Sequence, residues 1–552
     1  MPRLRQHRVH RKSNTEETSL LATPILLHDL ILGHAAQFGD RPALIGRDET
    51  LSYENLASRV SAVAAGLVDS GLRAGERVAV YLNKRPEMIA GCFGTSAAGG
   101  VFVPVNPVLK KAQVRHILDD CTATILITSA AFYNNLGQEL AGCASLRTVV
   151  LVDVDDTQQQ KQSPRMLSWT RLVEAHGRKQ DFRQRIDNDV ASILYTSGST
   201  GKPKGVVLSH RNMVAGAASV AGYIGNNAED RILAALPFSF DAGFSQLTTG
   251  FLAGAAVILF DYLLPLDVLK VAARHGATGL TAVPPLWNQL VKLEWPGEVR
   301  QSLRYIANTG GAMPTATLKK LRAQLPDTKV FLMYGLTESF RSTYLAPDQV
   351  DKRPTSIGKA IPNAQILVVR DDGSHCAPGE PGELVHRGAL VSLGYWNDPE
   401  RTARRFKPLP GKASELPFEE MTVWSGDTVY ADDEGYLYFV GRKDDMIKSS
   451  GYRISPSEVE EAVFGSGCVS ECAAIGVPHP DIGQAIVVIA CGTNPGEQAS
   501  AEILVACRAA LPNFMVPAQI VWRDKLPKNP NGKIDRKLLA EELADSGDES
   551  RE

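Results

Sequence analysis

The sequence predicts an α/β protein: a large N-terminal part of layered α/β subdomains with a distorted β-barrel, followed by a small α+β domain. Its 552 residues exceed what one hydrophobic core supports, so at least two domains are expected. Short apolar runs at 78–82, 124–128, 192–196 and 330–334 alternate with segments of helical periodicity, which is typical of largely parallel sheets covered by helices. After about residue 360 the runs are shorter and separated by Gly, Pro and Asp, which indicates an antiparallel, barrel-like module.

The same change of pattern sets the predicted domain boundaries. We expect a disordered basic arm at 1–19, an N-terminal domain at 20–441, a C-terminal domain at 442–540 and an acidic tail at 541–552. The arm shares with a signal peptide the order of basic residues before an apolar stretch. A polar spacer intervenes, however, and no small-residue cleavage site follows, so the pattern favours an arm.

Composition excludes several classes of function. The formal net charge of −2 offers no electrostatic argument for a nucleic-acid partner. No uninterrupted run of about 18 apolar residues occurs, so no membrane span is predicted. The eight cysteines are scattered, with no CxxC pair and no histidine at metal-ligand spacing. This usage is typical of reduced thiols and predicts a cytoplasmic protein.

A loop rich in Gly, Ser, Thr and Lys follows one of the predicted strands. Residues 195–205 read YTSGSTGKPKG, and the apolar run SILY leads into them. Such a loop offers unobstructed backbone N–H groups, hydroxyls and two ammonium groups, which are the groups that a polyphosphate needs. A Walker A pattern cannot be laid over the string. The loop therefore predicts a phosphate site of another kind.

This string resembles the phosphate loop of the adenylate-forming superfamily: acyl-CoA synthetases, adenylation domains of nonribosomal peptide synthetases and firefly-type luciferases. Further motifs follow in that family's order at 310–312 (GGA), 334–338 (YGLTE), 425–427 (SGD), 441–448 (GRKDDMIK) and 531–533 (NGK). The resemblance extends from about residue 51 to 539. It implies ATP, Mg²⁺ and a thiol acceptor as ligands, with a C-terminal domain that is mobile between two half-reactions.

The resemblance also implies roles for individual residues. Lys533, Glu338 and Thr196 would be catalytic, Glu338 and Thr200 would bind Mg²⁺, and Asp444 would be the hinge. The implied nucleotide-binding residues are Thr196, Ser197, Gly198, Ser199, Thr200, Gly201, Lys202, Lys204, Gly310, Gly311, Ala312, Tyr334, Gly335, Thr337, Asp427, Arg442 and Lys448. These roles are chemically reasonable, because a carboxylate attacking a phosphate meets like-charge repulsion that cations must offset.

The acid to be activated is less defined. After the run LPF the chain reads SFDAG, and FDA resembles amino-acid-activating domains, in which the aspartate pairs with the substrate ammonium. Asp241 is therefore either an ammonium partner, or a cap of the helix that follows or another structural residue. We expect the acid pocket to include Asp241, Ala242, Ser245, Thr309, Met333 and Ser339.

Several functions remain open at this point. The segments PFSFDAGFSQLTTGFLAGA and MYGLTESFRSTYL resemble AMP-forming acyl-CoA ligases associated with exosortase A systems. We predict an ATP-dependent acyl-CoA ligase. The alternatives are an amino-acid adenylation enzyme that loads the phosphopantetheine of a separate carrier protein, a luciferase-like oxygenase and a non-catalytic scaffold. Lys533, Glu338 and the glycines are all present, which disfavours a scaffold.

Overall fold

The computed structural model describes residues 23–154, 164–174, 185–196, 203–411, 415–442, 445–449, 452–479, 482–511, 513–530 and 532–548. The predicted basic arm 1–19 lies outside the described residues. So do Ser197, Gly198, Ser199, Thr200, Gly201 and Lys202 of the phosphate loop and the predicted hinge residue Asp444. Among the described residues, no helix combines the length and the apolar character needed to cross a bilayer.

A seven-stranded sheet forms the first layer. Its strands are β3 (Arg77–Tyr81), β4 (Val101–Pro104), β5 (Ile125–Thr128), β6 (Thr148–Leu151), β7 (Arg165–Ser168), β8 (Val190–Thr196) and β9 (Lys204–Ser209). They lie in the order β7-β6-β5-β3-β4-β8-β9. All neighbours pair in parallel except β8 and β9, which are antiparallel.

A 14-stranded sheet forms the second layer. Its strands are β1 (Pro42–Ile45), β2 (Thr50–Ser52), β10 (Arg231–Ala234), β11 (Ala256–Leu259), β12 (Gly279–Ala282), β13 (Tyr305–Asn308), β14 (Lys329–Tyr334), β15 (Thr343–Leu345), β16 (Ser356–Ala360), β17 (Ala364–Val369), β18 (Gly382–Gly388), β19 (Phe406–Pro408), β20 (Met421–Ala431) and β21 (Leu437–Arg442). The section from β1 through β11, β10, β12 and β13 to β14 is parallel. The section from β15 to β21 is antiparallel.

The antiparallel strands of the predicted barrel-like module do not form a closed barrel in the part of the chain that the structure describes. Strand β21 pairs with β16, and β16 pairs with β15, so the antiparallel strands extend the parallel sheet. The far end of the sheet is β17, which does not close back onto the other edge. Turn-rich antiparallel strands therefore produced an open extension of the sheet.

Helices cover these layers. They are α1 (Asp29–Phe38), α2 (Tyr53–Asp69), α3 (Pro86–Ala97), α4 (Lys111–Asp120), α5 (Ala130–Leu136), α6 (Trp169–Glu174), α7 (His210–Ile224), α8 (Asp241–Ala253), α9 (Pro265–His275), α10 (Pro284–Leu290), α11 (Gly297–Ser302), α12 (Thr315–Gln324) and α13 (Pro399–Arg405). Helix α8 packs between the two sheets, because Phe244 stacks on Phe93 and Phe102 at ring-centroid distances of 5.9 and 5.1 Å. The apolar burial of these rings fixes the position of α8, whose first turn faces the cleft described below.

The smaller C-terminal domain has its own sheet and cores. Its strands are β22 (Ile447–Ser449), β23 (Tyr452–Ile454), β24 (Glu471–His479), β25 (Gly483–Cys491) and β26 (Gln519–Trp522), with helices α14 (Pro456–Gly465), α15 (Glu497–Ala510) and α16 (Arg536–Asp548). Two clusters of buried residues, one around Val459 and Val488 and one around Ile489 and Leu539, lie within this domain. Helix α16 continues into the predicted acidic tail 541–552, because Leu543 packs against the second cluster.

Candidate active site

A cleft of about 1810 Å³ lies between the two domains. The carboxyl ends of β8, β13 and β14 open into it, and Thr196, Asn308 and Tyr334 stand at these ends. In open α/β sheets this edge is where ligands bind, since the loops after parallel strands converge there.

Lys204 and Glu338 form a buried charged pair on one wall of the cleft. Lys204, at the start of β9, donates from Nζ to Glu338 Oε1 at 2.9 Å and to the Tyr395 hydroxyl oxygen at 2.9 Å. Burial alone would raise the pKa of Glu338, but the cations Lys204 and Arg405 and the Tyr395 hydroxyl lower this pKa to about 2. Burial also lowers the pKa of Lys204, against the attraction of Glu338. Glu338 is therefore an anion in a strongly positive surrounding.

Asp427, on β20, forms a second charged group on the same wall. The Tyr334 hydroxyl donates to Asp427 Oδ2, and Arg442 Nε lies 3.3 Å from Asp427 Oδ1. Burial raises the pKa of Asp427, while Arg442 opposes the rise. The motif residues Tyr334, Asp427 and Arg442, which are more than a hundred positions apart at the extremes, thus meet at one point.

Polar atoms without hydrogen-bond partners among the described residues face this wall. They are Thr196 Oγ1, Asn308 Oδ1, Arg405 Nε and Asp427 Oδ1. Buried polar groups are nearly always hydrogen-bonded, so a set of open donors and acceptors in one cleft indicates a polar ligand. Hydroxyl, carboxylate and guanidinium groups match the ribose and phosphates of a nucleotide. We call this wall (Thr196, Lys204, Glu338, Asp427, Arg442) the nucleotide half.

The residues also fit a magnesium ion carried by a nucleotide. Mg²⁺ prefers oxygen ligands and is held by one or two carboxylates together with substrate phosphates. Glu338 supplies one such carboxylate beside the Thr196 and Thr337 side chains. No cluster of three or more His, Cys, Asp or Glu side chains with metal-binding geometry occurs in the described ranges, so the protein alone builds no metal cage there.

Lys533 reaches the cleft from the C-terminal domain. Its Nζ lies 5.9 Å from the centre of the Phe240 ring, and its Cε would be 3.3 Å from a Cβ placed on Gly310. Gly310 has a φ of +77° and leaves the room that the lysine side chain occupies. Burial lowers the pKa of Lys533, while Asp241, Asp427 and Glu338 oppose this effect. Gly311 and Ala312 continue the same wall.

Asp241 opens α8 and lines a second part of the cleft, which we call the acid half (Phe240, Asp241, Thr309, Met333, Thr337). Arg341 Nη1 donates to Asp241 Oδ2 at 2.9 Å, and Thr337 Oγ1 approaches Asp241 Oδ1 at 3.4 Å. The helix cap is Phe240, and no side chain caps the helix by a hydrogen bond. The prediction that Asp241 caps α8 is therefore wrong, because its carboxylate faces Arg341.

The remaining predicted pocket residues divide into two groups. Thr309, Met333 and Gly335 line the cleft. Ala242, Ser245 and Ser339 are buried behind the described wall: Ala242 packs with Phe240 and Val283, and Ser339 Oγ lies 2.9 Å from Ser342 Oγ. Lys448 lies on β22, and its side chain is outside the described part of the chain.

Sequence reasoning missed three polar residues of the site: Arg341, Tyr395 and Arg405. Arg341 follows the YGLTE motif by three positions, so its place in the chain was a signal for proximity to Glu338. Tyr395 and Arg405 lie in and after the GYW segment and carry no comparable motif. Their role follows only from their contact with Glu338.

Comparisons with known proteins agree with this geometry. The model of the AMP-binding enzyme family matches residues 33–396, and that of the AMP-binding enzyme C-terminal domain matches residues 458–533. A linear gramicidin synthase of Brevibacillus parabrevis is 32% identical over 91% of this chain, which spans only 6% of that protein. A long-chain-fatty-acid–CoA ligase of Salmonella typhimurium is 29% identical over 92% of this chain and 93% of its own length.

Solved structures show the same fold. The o-succinylbenzoate CoA synthetase of Bacillus subtilis, in complex with its acyl-adenylate intermediate, is 26% identical, with a TM-score of 0.77 over 93% of this chain and 97% of that one. An anthranilate CoA ligase in complex with anthranoyl-AMP superposes with a TM-score of 0.86 over 95% of this chain and 99% of that one, at 24% identity.

The two-domain α/β fold and the charged interdomain cleft define an adenylate-forming enzyme, an AMP-forming acid–thiol ligase. The chain belongs to the AMP-binding enzyme family.

Proposed function

We propose that this chain joins a carboxylic acid to coenzyme A in two steps at the interdomain cleft. The acid and MgATP give an acyl-adenylate and pyrophosphate, and the thiol then displaces AMP. The observation that carries the proposal is the position of Lys533, whose half-buried ammonium group interacts electrostatically with Asp241 of the acid half and with Asp427 and Glu338 of the nucleotide half.

The first step requires an anionic carboxylate to approach the α-phosphate of ATP. Lys533 would offset the charge that builds on the carboxylate and α-phosphate oxygens, and would hold them in line. Lys204, with the loop 197–202, would hold the β- and γ-phosphates. Asp427 Oδ1 would accept a hydrogen bond from a ribose hydroxyl, since this atom has no hydrogen-bond partner among the described residues.

Glu338 would hold the magnesium ion through its carboxylate, with Thr200 as the second protein ligand. The ion supplies charge neutralisation of the phosphates. The Lys204 and Tyr395 hydrogen bonds fix the orientation of Glu338 and keep it anionic.

The second step would follow rotation of the C-terminal domain about Asp444. In the present arrangement the domains touch through hydrogen bonds that such a rotation would break. Asn106 Nδ2 donates to the Pro530 carbonyl at 2.9 Å, and the Thr315 backbone N–H donates to Glu461 Oε1 at 3.1 Å. With Lys533 in the cleft, we assign this arrangement to the adenylation step, and the predicted domains 20–441 and 442–540 would be the two moving bodies.

The competing proposal is an amino-acid ligase that serves a carrier protein, favoured by the 32% identity to the linear gramicidin synthase. The Asp241–Arg341 ion pair supports the acyl-CoA proposal, because the carboxylate that would bind a substrate ammonium already has a cation. We place the reaction in the cytoplasm, in keeping with eight free cysteines.

The test is a two-part assay on the purified full chain. Acid-dependent ATP–pyrophosphate exchange reports the first step, and thioester formation reports the second, measured with CoA and with a phosphopantetheinylated carrier protein. We expect acid-dependent exchange and CoA thioester. Transfer to the carrier protein with none to CoA would contradict the acyl-CoA proposal.

A further inference from the structure

We propose that the Asp241–Arg341 pair makes this enzyme selective for acids that carry an uncharged hydrogen-bond donor, such as a hydroxyl group, close to the carboxylate. The inference rests on the proposed function and specifies the substrate class at the same cleft. Asp241 is the group that would touch the substrate, and Arg341 is the residue that positions it.

The pair is built so that only its acidic member faces the ligand. Asp241 lines the cleft, whereas Arg341 is 2% exposed and stands behind it. Asp241 Oδ2 accepts the Arg341 bond at 2.9 Å, and among the residues that the structure describes Oδ1 has only the long contact of 3.4 Å from Thr337 Oγ1. A carboxylate offers about four acceptor sites. Asp241 therefore retains capacity for a hydrogen bond from a substrate.

Each carboxylate of the two halves already has a cation beside it, so none is left to pair with an ammonium group of the substrate. Glu338 is paired with Lys204, and Asp427 with Arg442. Asp241 is paired with Arg341, which leaves Lys533 to balance the carboxylate of the substrate. An α-ammonium would add an uncompensated buried positive charge, and such a charge is costly.

An acid without any substituent is also a poor match. Its methylene groups would cover an Asp241 oxygen, remove water from it and give no hydrogen bond in return. A hydroxyl group donates to that oxygen and adds no charge. Arg341 contributes by offsetting the charge of Asp241, so the carboxylate acts as an acceptor with less attraction for a further cation.

The experiment measures kcat/KM for pyrophosphate exchange with two matched aliphatic sets of acids, each containing a hydroxy, an unsubstituted and an amino member, and with one aryl pair. Lactate, propionate and alanine form one set; 3-hydroxybutyrate, butyrate and 3-aminobutyrate form the second; salicylate and benzoate extend the comparison to aryl acids. We expect the hydroxy member to exceed the unsubstituted member by about tenfold or more in at least one set, as for a hydrogen bond to a charged group. We expect the amino member of the aliphatic sets to be the weakest.

Two variants separate positioning from a merely structural role. In Arg341→Gln the charge of Asp241 is no longer balanced, so the ratio of amino to hydroxy activity should rise by about tenfold or more. In Arg341→Lys the cation is kept, and the original ratio should be retained. The ratio is measured on the folded fraction, since both acids are tested on the same preparation.

Each outcome has a defined meaning. A wild-type preference for the amino or the unsubstituted members in every set, or an unchanged ratio in Arg341→Gln, overturns the inference and leaves the ligase intact. Absence of Lys533-dependent exchange with every acid overturns the proposed function and the inference together.

Discussion

In the nucleotide half of the cleft, Thr196 Oγ1 and Arg405 Nε have no hydrogen-bond partner among the described residues, whereas in the acid half Asp241 Oδ2 accepts a hydrogen bond from the buried Arg341. Both halves bury carboxylates, but only one of them leaves its open groups to a charged ligand. MgATP carries several charges and can complete the first half. In the second half Asp241 already has a cation in Arg341, and the proposed selection there is by hydrogen bonding.

The largest loss of activity is expected from a substitution of Lys533, which acts on both halves of the cleft. Lys533→Ala should lower kcat/KM for acid-dependent exchange by about 10²–10³-fold, the cost of losing one preorganised charge at a transition state. The matched control is Lys528→Ala, which removes a lysine five positions earlier that pairs with Glu471. Equal activities of the two variants in the exchange assay would contradict the role of Lys533.

The nucleotide half is tested by Asp427→Asn. This change should raise the KM for ATP by about 10- to 100-fold, because a charge-assisted hydrogen bond to the nucleotide is lost. The KM for the acid should change much less, since Asp427 belongs to the nucleotide half. Asp372→Asn, at an exposed turn, is the control. Steady-state kinetics, with ATP and the acid varied in turn, will show whether the KM for ATP rises while the KM for the acid stays nearly constant.

Activity should also fall at alkaline pH. Burial lowers the pKa of Lys533, so its ammonium form is lost at a pH below the usual lysine value of about 10.4. As pH rises through this lowered pKa, kcat/KM should fall by about tenfold per pH unit, because only the protonated lysine offsets negative charge. A profile of kcat/KM between pH 7 and 10.5 checks this. Activity that stays flat over the whole range would show that the charge of Lys533 is not required.

The smallest effect concerns the contact between the domains. Asn106→Ala removes the hydrogen bond to the Pro530 carbonyl, worth about 1 kcal/mol. It should slow adenylation by about fivefold and leave thioester formation from preformed acyl-adenylate unchanged. Single-turnover measurements of the two steps distinguish them, and an equal loss in both would argue against this contact as specific to the first.

The two halves also differ in how much of them the sequence predicts. Lys204, Tyr334, Glu338 and Asp427 lie within short motifs that phosphate and ribose chemistry restricts to few residue types, and the structure brings them to one wall. The acid half is set by packing between distant elements. Arg341 is a hundred positions from Asp241, and no residue near Asp241 in the chain indicates that its carboxylate pairs with a buried arginine.

The fold shows a similar limit. Alternating apolar runs and helical segments predict the parallel layers, because strand burial on both faces leaves a local pattern. Whether an antiparallel module closes into a barrel leaves no such pattern, since closure depends on which strands pair at the edges of the sheet. Strand β16 pairs with β21, which lies more than 70 residues further along the chain, and this pairing joins the antiparallel strands to the open sheet.

The fate of ATP in a single turnover, with an acid chosen from the exchange panel, is the measurement to make first. With CoA omitted, we expect one equivalent of pyrophosphate and one of enzyme-bound acyl-adenylate, and release of AMP with thioester only after CoA is added. Formation of ADP and phosphate, or pyrophosphate without any acyl-adenylate, would contradict the claim that the two halves of this cleft join an acid to a nucleotide.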